Sequence, residues 1–215
     1  SVASFDRLYL PELRRRGFVA PSVRRNAPVG KVAGGAVLDS LPGLYSHVAV
    51  FDFKSLYPSL MRTFGLDPLG FACAGDGALE APNGARFSRD AAILPDLLDD
   101  LAASRKQAKD RGDGHGDQAI KVLMNSLFGV LASPGCRFAD PEIANAITGF
   151  GQQTLRWTQE VFEALEVKVL YGDTDSVFVK LSPAPGESPA ALAEELRGTV
   201  EAQISQRVRD QYGVE

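Results

Sequence analysis

Val167-Lys168-Val169-Leu170-Tyr171-Gly172-Asp173-Thr174-Asp175-Ser176-Val177-Phe178-Val179-Lys180-Leu181 reads as two β-rich runs folded about a polar turn. Val, Tyr and Phe suit a pleated, half-buried surface, and Gly, Asp and Ser interrupt it. The stretch predicts a hairpin, with strands over 167–171 and 177–181 and two acids at its tip. Residues two apart share a face of an extended chain. Asp173 and Asp175 are therefore expected to face one way wherever the backbone stays extended, and a tight turn would break that alignment. Asp-x-Asp is also ordinary turn chemistry.

Outward from the hairpin, His47-Val48-Ala49-Val50-Phe51-Asp52-Phe53 is an apolar run of strand length that carries an acid near its end. Ser55-Leu56-Tyr57-Pro58-Ser59 then predicts a tight turn into a short helix through Thr63, where Pro58 is tolerated near the helix start. If this strand pairs beside the hairpin, Asp52, Asp173 and Asp175 converge. Clustered carboxylates repel one another, and a hard divalent cation relieves that repulsion. Mg²⁺ takes one or two protein carboxylates together with water and substrate phosphates. Two such ions about 3.5–4 Å apart stabilise both oxygens of a phosphoryl displacement.

Residues 90–111 have helical apolar spacing at Ile93, Leu94, Leu97, Leu98 and Leu101. Gly112 to Gly116 reads as a turn, because each Gly costs a helix about 1 kcal/mol relative to Ala. Asp117 is placed to cap a second helix, about Gln118 to Val130, completing an αα-hairpin. Arg105 and Lys109 share one helix face at i, i+4, and Lys121 and Asn125 share another. Such a set suits a triphosphate or is a solvated charged face. A long helix is predicted over 140–166, and a last one over 190–212 after a Pro-rich linker. Residues 65–89 read as loop and residues 1–46 as an extended lead-in with a turn at Gly34-Gly35. There is no internal repeat.

The 215 residues are 45% hydrophobic and 23% charged, ordinary usage for one or two globular domains. No run approaches the roughly 18 apolar residues of a membrane span. No secretory signal pattern is present. Cys73 and Cys136 are too few for a disulfide framework and do not form a zinc-type pair; a reducing, intracellular setting is the simplest reading. Net charge is −4, unlike a self-sufficient nucleic-acid binder. Basic residues gather at the front, Arg7, Arg14 to Arg16, Arg24, Arg25 and Lys31, as a polyanion contact or a solvated surface.

Three segments together resemble the B family of DNA polymerases, and more finely the bacterial DNA polymerase II type. Asp52 to Ser59 resembles the family motif D-x-x-S-L-Y-P-S, Lys121 to Gly129 resembles K-x-x-x-N-S-x-Y-G, and Tyr171 to Ser176 is similar to Y-G-D-T-D-S. Gly34-Gly35 resembles the glycine pair between the exonuclease and polymerase parts. Pro42 to Tyr45, Cys136 to Phe138 and Asp140-Pro141 resemble the polymerase II branch. The resemblance implies an α+β fold: a polymerase palm with an antiparallel sheet backed by helices, and an inserted two-helix fingers hairpin. Its expected division is a lead-in at 1–46 from the exonuclease side, palm at 47–89, fingers at 90–131 and palm again at 132–215, with the thumb absent.

The resemblance further implies template-directed DNA synthesis by a DNA-directed DNA polymerase, in replication or repair. The partners would be primer-template DNA, a dNTP and a sliding clamp reached through missing regions, in the bacterial cytoplasm at the nucleoid and away from membranes. Two Mg²⁺ ions, with Mn²⁺ as a substitute, would be held by Asp52, Asp175 and the Phe53 carbonyl, with Asp173 in support. Ser55, Leu56, Tyr57, Arg105, Lys109, Lys121 and Asn125 would bind the nucleotide. Tyr57 is either the sugar discriminator or a core Tyr. Gly34, Gly35, Phe128, Gly129, Tyr171 and Thr174 would meet primer or template. Phe128 stands where the family motif has Tyr. The alternatives are a palm fragment, inactive in isolation, that serves as a nucleotide- or DNA-binding or structural module; a protein-primed family B polymerase; and a reverse transcriptase, in which the aspartates are usually adjacent rather than separated as by Thr174.

Overall fold

A computed structural model describes residues 1–23 and 30–214. By contacts the chain divides into two units. One holds Ser1–Ala33 and Tyr57–Gly149, the other Gly34–Leu56 and Phe150–Glu215.

In the first unit, α1 (Val2–Arg15) replaces the extended backbone expected at the front of the chain. Phe5, Tyr9 and Leu13 recur every four residues and are buried. That stripe outweighs the helix-breaking cost of Pro11, and Ser1 caps the helix by accepting from the Ser4 N–H at 3.3 Å. Phe5 and Tyr9 stack and Phe138 packs against both at an angle, with ring centroids 4.8–5.9 Å apart. Part of the basic front, Arg24 and Arg25, lies outside the described residues.

The 65–89 segment also differs from a loop. It contains α3 (Pro68–Ala72) and a two-stranded ribbon, β2 (Leu79–Glu80) with β3 (Arg86–Phe87). At its head, Asp67 is wholly buried. Its carboxylate accepts from the Leu69, Gly70 and Leu94 N–H groups at 2.8–2.9 Å and from the Tyr9 hydroxyl at 3.0 Å. Burial pushes the Asp67 carboxyl up, and these donors pull the other way. One side chain thus ties α1, α3 and the start of α4 (Leu94–Asp110). The partner of α4 is α5 (Gly114–Leu131), and the expected αα-hairpin is present. Asp113, not Asp117, caps α5, accepting from the Gly116 N–H at 2.8 Å.

In the second unit, β1 (Val48–Asp52), β4 (Lys168–Asp173) and β5 (Ser176–Lys180) form an antiparallel sheet in the order β1-β5-β4. The hairpin lies where its sequence places it, with an irregularity between Val169 and Tyr171. Two long helices are α6 (Pro141–Ala164), which the unit boundary divides, and α7 (Pro189–Tyr212). Leu155, Val161 and Phe162 of α6 and Leu196, Val200 and Ile204 of α7 bury Val169, Val177 and Val179 on one face of the sheet. This sheet backed by helices is an α+β architecture. Among the described residues no helix is long and apolar enough to cross a membrane, and Cys73 and Cys136 are free.

Asp67→Ala leaves the buried Gly70 and Leu94 N–H groups without their acceptor, while the Leu69 N–H keeps the Tyr9 hydroxyl, so we expect it to lower unfolding stability by roughly 2–4 kcal/mol. A urea midpoint equivalent to less than ~0.5 kcal/mol of change would show that Asp67 is no hub.

Candidate active site

Strand register gathers the acids. Ser176 pairs with Asp52 on one side and with Asp173 on the other. Residues directly opposite one another share a face, so Asp52 and Asp173 lie on the face away from α6 and α7. Their backbones are two strand spacings apart, ~10 Å. The Phe53 N–H donates to the Asp175 carbonyl at 2.7 Å, which fastens the end of β1 to the hairpin tip.

The tip itself is tightly bent. Thr174 has φ +51°, and the Asp175 N–H donates to the Asp173 carbonyl at 2.6 Å. The extended-chain alignment of Asp173 with Asp175 therefore fails at this turn, and strand pairing brings the acids together instead. Burial raises the Asp175 carboxyl most, then the charge of Asp52, and less so that of Asp173. Asp173 is partly occupied by its neighbours: the Thr174 hydroxyl donates to Oδ1 at 2.9 Å and the Tyr171 hydroxyl to Oδ2 at a long 3.4 Å.

Among the described residues, no group of three or more His, Cys, Asp or Glu side chains is arranged to hold a metal ion by itself. Of the two neighbouring acids, Asp52 raises the Asp175 carboxyl more than Asp173 does. Two carboxylates with a mutual repulsion, one of them exposed, fit a hydrated divalent cation that takes only one or two protein carboxylates.

Ser55 adopts φ +53° and turns the chain from β1 into α2 (Leu56–Phe64). Leu56 opens the helix, and the first N–H groups of a helix lack intrahelical acceptors, which favours an anion at this end. Tyr57 is half-buried, and its ring lies 4.4 Å from that of Phe128. Two motifs far apart in sequence thus share one aromatic contact. Gly129 has open space at its Cα. Gly34 accepts from the Gln152 side chain through its carbonyl at 2.7 Å, and Tyr171 packs on Phe178.

On the αα-hairpin, Lys109, Lys121 and Asn125 are exposed. Arg105 is not simply displayed beside them. Its Nε donates to Asp117 Oδ1 at 2.6 Å, and the two side chains are only 15% and 22% exposed. Helical spacing alone does not reveal this pair, because Asp117 lies on the opposite helix from Arg105.

The sequence profile of DNA polymerase family B matches residues 5–209. This chain belongs to DNA polymerase family B. It is 43% identical over 200 residues to DNA polymerase II of Escherichia coli strain K12, a match covering 89% of this chain and 25% of that protein. It is 30% identical over 213 residues to a DNA polymerase of Archaeoglobus fulgidus, covering 93% and 27% respectively. Among solved structures, the family B DNA polymerase from the hyperthermophilic archaeon Pyrobaculum calidifontis superposes with a TM-score of 0.64 at 30% identity, covering 96% of this chain and 27% of that one. The chain spans about a quarter of the length of these relatives. The resemblance to the bacterial polymerase II type agrees with the 43% identity.

Asp117→Ala leaves the shielded Arg105 guanidinium without its carboxylate, and we expect α4 and α5 to lose about 1–2 kcal/mol. Amide hydrogen exchange near the α4–α5 turn should quicken correspondingly, and exchange at the wild-type rate would exclude that role.

Proposed function

We propose that this chain carries the nucleotidyl-transfer chemistry of a DNA-directed DNA polymerase, adding a deoxynucleotide to a primer 3′-hydroxyl on a DNA template. The observation that carries the reading is the pairing of β1 with the hairpin: Asp52 lies opposite Ser176, the Phe53 N–H donates to the Asp175 carbonyl, and burial followed by the Asp52 charge raises the Asp175 carboxyl. In this reading residues 47–89 and 132–215 are palm, 90–131 fingers and 1–46 the lead-in. Asp52, Asp175 and the Phe53 carbonyl hold two Mg²⁺ ions, which Mn²⁺ can replace, and Asp173 supports them. The ions, when bound, activate the 3′-hydroxyl and stabilise the leaving pyrophosphate.

The chain's own groups do the positioning, the larger part of phosphoryl transfer. Lys109, Lys121 and Arg105 take the β- and γ-phosphates, with the Arg105 fork held steady by Asp117. Asn125 adds a hydrogen bond, and the N–H groups of Ser55 and Leu56 meet phosphate oxygens. Tyr57, braced by Phe128, lies under the sugar and excludes a 2′-hydroxyl. Gly34, Gly35, Gly129, Tyr171 and Thr174 line the primer and template. A sliding clamp would act through other parts of the protein, at the bacterial nucleoid in the cytoplasm.

Two measurements test this in the whole protein. Asp52→Ala or Asp175→Ala should cut primer extension at least about a thousandfold (≈ 4 kcal/mol of barrier) while circular dichroism stays native. Extension at the wild-type rate by either variant would reject the metal assignment. Tyr57→Val should raise ribonucleotide incorporation relative to deoxyribonucleotide, and Phe128→Ala should do so to a smaller degree. An unaltered ratio in both would return Tyr57 to a packing role.

A further inference from the structure

The segment after Ala33 runs along β4 and onto the acidic tip. The Gln152 side chain holds the Gly34 carbonyl at 2.7 Å. The Thr174 N–H donates to the Ala36 carbonyl at 2.8 Å, Leu38 N–H to the Gly172 carbonyl at 2.8 Å, and Leu41 N–H to the Leu170 carbonyl at 2.9 Å. This backbone track leaves almost no space between Gly35 and Thr174. A Cβ on Gly35 would lie 2.4 Å from Thr174 Oγ1 and 2.9 Å from Thr174 Cβ and Cγ2. Those are the atoms that set the tip, since Thr174 Oγ1 donates to Asp173 Oδ1 at 2.9 Å. Thr174 also holds the left-handed φ that bends the chain from Asp173 into Asp175. A β-branched residue is costly in that conformation unless its surroundings fix it.

We propose that Gly35 is a positioning residue for the acidic hairpin tip: the side-chain-free seat at its Cα locks Thr174, and Thr174 holds Asp173 and the turn that presents Asp175 beside Asp52. This rests on the metal-binding reading of Asp52 and Asp175 given above. Gly35 thereby acts on the carboxylates through packing, a role separate from any contact with template. Groups that orient metal-holding side chains from behind commonly affect metal affinity by about 10- to 100-fold when altered.

Mn²⁺ titration followed by electron paramagnetic resonance, on the whole protein without DNA or nucleotide, tests the proposal. The ions whose binding Asp52→Ala abolishes define the site. Gly35→Ala should weaken their binding about 10- to 100-fold with the melting temperature preserved. In a Thr174→Gly background, where the seat is vacated, the same substitution should cost less than about twofold, because the two residues act as one coupled pair. An equal cost in both backgrounds, or none in either, overturns the role of Gly35 while leaving the metal site standing. Mn²⁺ binding indifferent to Asp52→Ala overturns both readings. Should Gly35→Ala not fold, Thr174→Val decides: weakened Mn²⁺ binding supports the lock, and wild-type affinity removes it.

Discussion

The register of β1 against β5 is the constraint on which the acidic site depends. Asp52 faces Ser176 because Val50 faces Phe178 and Val48 faces Lys180. A slip of one residue would turn Asp52 toward α6 and α7 and bring Val48 and Val50 into the core. Burying a charge there costs far more than the strand gains. Phe51, 4.9 Å from Phe162 ring to ring, pins the correct alternative. The same hydrophobic alternation that folds the sheet thus decides where its carboxylates point, and the Phe53 to Asp175 hydrogen bond completes the alignment.

Much of this was legible in the sequence because it is local and periodic. The hairpin, β1, the α4–α5 pair, α6 and α7 all follow apolar spacing. The acids of the site also stood out, since three short motifs carried a resemblance that the family profile bears out. What periodicity could not express was the means of convergence: Asp173 and Asp175 fail to align through an extended backbone, because Thr174 bends it.

The remainder was hidden for particular physical reasons. In α1, Pro11 and the arginines obscured a four-residue stripe of Phe5, Tyr9 and Leu13. Asp67 falls in a segment read as loop, and its role is invisible there because its donors are backbone groups at 69, 70 and 94 and the Tyr9 hydroxyl, none of which has a sequence signature. Asp117 was read as a cap, a local role, although its partner Arg105 lies across the turn and Asp113 already serves the helix end. The closeness of Gly35 to Thr174 is a property of folded surfaces alone. Long-range polar pairing and steric fit are the information that a one-dimensional reading loses.

β1 occupies one margin of the sheet, and its outward side chains Val48 and Val50 are 44% and 54% exposed. Such a margin pairs readily with a strand from another molecule. Acidic or lysine replacements at Val48 would place a charge on that margin, a guard against strand addition, without touching the face packed on α6 and α7.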